Sequence, residues 1–106
     1  MKSKLRRYEV LLPARFNDGT EVSDELLGDA MKEIMSQFGA VSFRRNAVDG
    51  YWQHLETTYH DELGVLVVDV ADTIANRRWM KAFKQRWKKK LEQLEIWMVS
   101  FHIDVE

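Results

Sequence analysis

The apolar residues of this chain switch between a spacing of two and a spacing of three to four in a set order. That order limits the possible folds more than any single motif does. "YEVLL" (8–12) reads as a strand ended by Pro13, which cannot donate to a ladder. "FNDGTEVS" (16–23) is turn chemistry, since Asn, Asp and Gly tolerate the positive φ of tight turns. Ser23 then suits a helix N-cap, Asp24 and Glu25 suit the positive end of the helix dipole, and Gly39 suits the C′ position. Between these caps Leu27, Met31, Ile34, Met35 and Phe38 form one apolar stripe.

"AVSFRR" (40–45) alternates as a second strand, "NAVDG" (46–50) is expected to turn it, and "YWQHLETTY" (51–59) forms an extension or a further hairpin arm. "VLVVDV" (65–70) is a β-branched run typical of a central strand. Asp72 and Thr73 offer N-caps for a second helix running to about Gln93, and "EIWMVSFHIDV" (95–105) reads as a long last strand. The expected fold is a single α+β domain over 1–106, a ferredoxin-like split β-α-β-β-α-β sheet with both helices on one face.

Such an arrangement leaves the other sheet face bare. Alternation assigns Leu66, Val68 and Val70 to the core, and Val65, Val67 and Asp69 to the bare face. In the last strand it assigns Trp97, Val99, Phe101, Ile103 and Val105 to the core, and Ile96, Met98, Ser100, His102 and Asp104 to the bare face. A half-apolar exposed face becomes an interface or a ligand wall. Two-fold self-association is the favoured use, because C2 dimers are the commonest assemblies.

Half of the sixteen basic residues fall in "RRWMKAFKQRWKKK" (77–90). On a helical wheel Trp79, Met80, Phe83, Trp87, Leu91 and Leu94 share a core-facing arc, so the tryptophans are not free platforms for bases. The basic residues take the wet side, and six acids among residues 18–33 are expected to offset them. With a net charge of -1 the chain has no global field toward nucleic acid, and that partner is disfavoured.

The absence of cysteine excludes thiol nucleophiles and disulfides, and no apolar run reaches the ~20 residues of a membrane helix. Nor does the basic start "MKSKLRRYEV" lead into the apolar core of a signal peptide, so a cytoplasmic setting is expected. His54, His60 and His102 lack the spacing of a metal site, and no phosphate-loop, dinucleotide or nucleophile-elbow motif is present. Neither a metal nor a cofactor is expected.

Asp69 stands between valines, where an ionised carboxylate needs a partner; Arg15, Lys84 or a residue of the bare face could supply it. "RFNDG" places Arg15, Asn17 and Asp18 in the loop after the first strand, where either turn stabilisation or ligand contact suits them.

Several segments together, "LLPARFNDGTEV", "FGAVSF", "GYW", "YHDE", "VVDVADT" and "QLEIWM", resemble those of a group of small uncharacterised bacterial proteins. That group carries LLPxRFNDGxxV, FGGxS, GxW, a Tyr with an acidic pair, VDVxDT and QxEIW in this order. The resemblance marks Arg15, Asn17, Asp18, Trp52, Tyr59, Asp61, Glu62, Asp69, Asp72, Gln93, Glu95 and Trp97 as motif positions. Gly39-Ala40 replaces the paired glycines. The group brings no activity with it.

The expectation is therefore a binding or interaction module without catalysis, with Arg15, Asn17, Asp18, Trp52, Tyr59, Asp69 and Glu95 as contact residues. Alternatives are a small-molecule site or enzyme pocket at the sheet face where Arg15 and Asp69 converge, and nucleic-acid binding through 77–90.

Overall fold

A computed structural model describes residues 4–106; the first residues of the basic start lie outside it. The element order is β1 (Leu5–Pro13), α1 (Asp24–Phe38), β2 (Ser42–His54), β3 (Thr57–Ala71), α2 (Ile74–Lys90) and β4 (Met98–Ile103). The sheet order is β2-β3-β1-β4, and every pairing is antiparallel. Both helices are capped as their sequences imply. The Ser23 hydroxyl accepts from the Leu26 N–H, Thr73 does the same for Asn76, and Gly39 closes α1 at φ 84°.

One side of the sheet carries Tyr8, Val10, Leu12, Leu66, Val68 and Val70, all buried against Leu27, Ala30 and Ile34 of α1 and Met80, Phe83 and Trp87 of α2. The helices also meet each other, Phe38 edge-on to Trp79 at 5.1 Å, while Glu33 accepts from the Trp87 indole N–H and the Arg86 guanidinium. Met35 and Leu94, expected in the core stripes, are instead 48% and 66% exposed. Leu94 escapes because α2 ends at Lys90, capped by Leu91, and Glu92, at φ 54°, turns the chain away.

The last strand faces opposite to its expected orientation. Ile96 is buried and Met98 packs on the core, whereas Trp97, Val99 and Phe101 are 65%, 36% and 43% exposed. The register explains this: Met98 pairs with Val10 and Ser100 with Tyr8, so they share the core side of β1. Apolar residues occupy both alternations of β4, and its polar pair is used inward. Arg6 donates to the Ser100 hydroxyl at 3.1 Å, meets His102 Nε2 at 3.0 Å and pairs with Asp72 at 3.0 Å.

No turn forms at 46–50. Residues 45–47 bulge opposite Gly64, with Asn46 at φ 48°, and β2 runs on to His54. The turn is Leu55-Glu56, at φ 50° and 66°, the handedness of a two-residue hairpin. The expected arm is thus the far half of the β2–β3 hairpin, and it draws the molecule out to 50 Å.

The basic side of α2 is offset differently from the expectation. Of the acids at 18–33 only Glu33 pairs with α2; Asp72 takes Arg77, and Glu95 takes Lys84 at 3.1 Å. No helix among the described residues is long and apolar enough to cross a membrane.

Candidate functional site

On the face away from the helices, Arg7, Glu9 and Leu11 of β1 lie between Val65, Val67 and Asp69 of β3 and Trp97, Val99 and Phe101 at the β4 edge. Asp69 finds its partner here. Arg7 grips it with two hydrogen bonds of 2.8 and 3.0 Å, which satisfies the carboxylate without Arg15 or Lys84. The carboxylate in turn holds the Arg7 guanidinium above its usual pKa, mainly through the hydrogen bond.

Toward the Pro13 end of this face the sheet gains walls. The hairpin arm brings Trp52, Asp61 and Leu63; β1 ends in Leu11 and Pro13; the loop after it adds Asn17; and the α2–β4 connection lays Gln93, Leu94, Glu95 and Trp97 across the opening. Together they border a partly open cavity of about 300 Å³. Three of the expected contact residues, Asn17, Trp52 and Glu95, meet in it. Six of the twelve motif positions line it: those three with Asp61, Gln93 and Trp97.

The walls are held by their own bonds. The Trp52 indole N–H donates to Asp61 Oδ2 at 2.7 Å, and its ring stacks on Tyr59 at 4.4 Å. Asn17 Nδ2 donates to the Glu92 carbonyl and Gln93 Nε2 to the Leu91 carbonyl, which ties both loops to the end of α2. Glu95 Oε1 accepts from the Ile96 N–H and pairs with Lys84. Lys84 and then that backbone N–H hold the Glu95 carboxyl below the usual carboxylate range.

The other expected residues lie elsewhere. Arg15 lines a separate hollow of about 250 Å³ with Glu21, Asp24 and Arg45, so it does not converge with Asp69. Asp18 accepts from the Thr20 N–H and hydroxyl, the hydroxyl bond first in effect, and its carboxyl pKa is lowered by this turn-closing role. Asp61, Gln93 and Trp97 join the site beyond the expected contact residues, and the segments "YHDE" and "QLEIWM" are the signals that point to them.

No family model and no curated protein matches the chain. Among solved structures, CutA1 from Oryza sativa superposes with a TM-score of 0.67, covering 98% of this chain and 84% of that one. The fold is ferredoxin-like. At 11% sequence identity the likeness extends to the fold alone.

Proposed function

We propose that this chain is a cytoplasmic, non-catalytic binding module that pairs with a second copy of itself across the bare sheet face. The observation that carries the reading is the exposure of Val99 and Phe101, at 36% and 43%, on a strand that is also a sheet edge, and of Trp97, at 65%, just before it. Half-buried Leu11, Val65 and Val67 continue the apolar surface inward. The Arg7–Asp69 pair is internally neutral, and Glu9 beside Arg7 leaves the polar part of the face with a single carboxylate to accommodate in the pair. A two-fold operator brings the same patch into play twice. Sedimentation velocity from roughly 1 to 100 μM, a range covering Kd values from tight to weak pairing, tests it. A rise in mass toward the dimer is expected, and a strict monomer throughout overturns the reading.

A second reading is a small-molecule site, and its support is the cavity bounded by Trp52 and Trp97. Membership of the bacterial group belongs with it, because half of that group's motif positions line this one hollow.

A further inference from the structure

We propose that the cavity between Trp52 and Trp97 binds a protonated arylalkylamine, an ammonium group carried on one or two aromatic rings. The inference deepens the small-molecule reading above; Leu11 and Trp97 belong to both the cavity and the pairing face, so it concerns the unpaired chain.

The size and walls set the apolar part of the ligand. About 300 Å³ is at the small end of ligand sites, and Leu11, Pro13, Leu63 and Leu94 with the two indoles make most of its surface. Tyr59 and Asp61 already fix the Trp52 ring, so little ordering is left for the ligand to bring about.

The polar groups set the charge. No lysine or arginine lines the cavity, whereas two carboxylates do. Glu95 is offset by Lys84, but Asp61 has no ion pair among the described residues. Its Oδ2 takes the Trp52 N–H, which leaves Oδ1 as an acceptor bearing uncompensated charge. Asn17 and Gln93 each spend an amide N–H on a backbone carbonyl, and among the described residues their side-chain oxygens accept no bond. The free capacity is thus weighted toward acceptors and net negative. An ammonium matches these oxygens and is attracted by indole faces; a carboxylate ligand meets the unpaired charge of Asp61.

The test is an NMR titration of the tryptophan indole N–H signals with three probes of one shape: 2-phenylethylamine, 2-phenylethanol and phenylacetate. The amine is expected to shift the Trp52 and Trp97 signals saturably, at least tenfold more tightly than the alcohol, with phenylacetate weakest. Asp61→Asn keeps an acceptor for the Trp52 N–H and removes the charge, so the preference for amine over alcohol should fall to near parity. Glu95→Gln, on a different segment, should lower it less, because Lys84 already offsets that carboxylate. Phenylacetate binding as well as the amine, no saturable shift at either indole, or an unchanged preference in both variants overturns the proposal. The titration is repeated in a Phe101→Thr background below the association midpoint, where Trp97 is not covered by a second copy, so failure of amine binding and failure of pairing are read separately.

Discussion

Replacing Phe101 by threonine should separate the role of β4 as a strand of the monomer from its proposed role as a surface for a second copy. Phe101 is 43% exposed, so of a side chain that buries about 200 Å² when covered, about 85 Å² stays open. In a two-fold pair the substitution enters twice. Allowing for what threonine still covers, about 110 Å² of apolar burial is lost, which at ~25 cal/mol per Å² is about 3 kcal/mol. The dimer Kd should therefore rise roughly 100-fold. Monomer stability should change by no more than about 1 kcal/mol, since threonine keeps the β-branched preference for a strand. Sedimentation equilibrium measures the first quantity, and urea unfolding below the association midpoint the second. The controls are Leu55→Asn and Ile74→Thr. Leu55 and Ile74 are 84% and 72% exposed, but they sit at the hairpin tip and the start of α2, off the sheet face. If either control weakens association as much as Phe101→Thr, exposure alone drives pairing and the face has no special role. An unchanged Kd in Phe101→Thr refutes the reasoning directly.

Three further outcomes are expected. Gly64→Ala would place a Cβ 2.5 Å from the Phe43 ring and 3.1 Å from the Arg44 carbonyl; the overpacking, less the usual gain of alanine over glycine, should cost about 1–2 kcal/mol in urea unfolding. Adding Phe43→Leu should recover part of that loss, and strict additivity would refute the contact. Arg6, foremost, with His102 and Arg77, holds the Asp72 carboxyl below its usual range. A lowered carboxylate pKa contributes stability above the unfolded value of about 3.9 and loses it as pH falls through the folded one. Asp72→Asn should accordingly flatten the drop in urea midpoint below about pH 4, and an unchanged acid slope refutes the assignment. Finally, Lys81→Glu with Lys88→Glu should leave nucleic-acid retention on filters weak and unchanged, because Arg77, Lys84 and Arg86 are already paired. Binding with a steep salt slope that this double variant abolishes would restore the basic helix as an interface.

The parts legible in the sequence are those where one local rule acts unopposed. Ser23, Gly39 and Thr73 cap helices because each can make the bond or adopt the φ that a helix end requires. The faces of 65–70 read correctly because Asp69 marks the wet side, although β3 begins eight residues earlier, at Thr57. β4 misleads because both of its alternations are apolar near Trp97 and Met98, so the face was decided by long-range partners, Val10, Tyr8 and Arg6, that alternation does not contain. The hairpin misleads for a related reason: Asn46 and Gly50 are turn residues used in and beyond a bulge, while Leu55 and Glu56 have no turn signature and still take positive φ. The cavity was legible only as scattered motif positions, since its lining comes from four segments between Leu11 and Trp97.

The same departures that made the sequence hard to read create the site. A minimal split βαβ sheet needs neither the overshoot of β2 and β3 past the helices nor the six residues between Leu91 and Met98. The bulge at 45–47 carries β2 onward with its bare-face parity intact, Arg44 opposite Val65 and Val48 opposite Leu63, so Trp52 emerges on the uncovered side. At the other wall, Glu92 leaves the helix through positive φ, and the amides of Asn17 and Gln93 fasten the turn to carbonyls of α2's last residues and its exit. Inward use of Ser100 and His102 by Arg6 then commits Trp97 to the outside. Three separate constraints, a bulge, a left-handed exit and a polar network, thus place two indoles and a charged carboxylate around one hollow. None of the three is needed to cover the hydrophobic core, which is closed by Met80, Phe83, Trp87 and Leu91 on the opposite side of the sheet. Structure that the core does not require is structure available for recognition, and here it borders the apolar edge formed by Trp97, Val99 and Phe101.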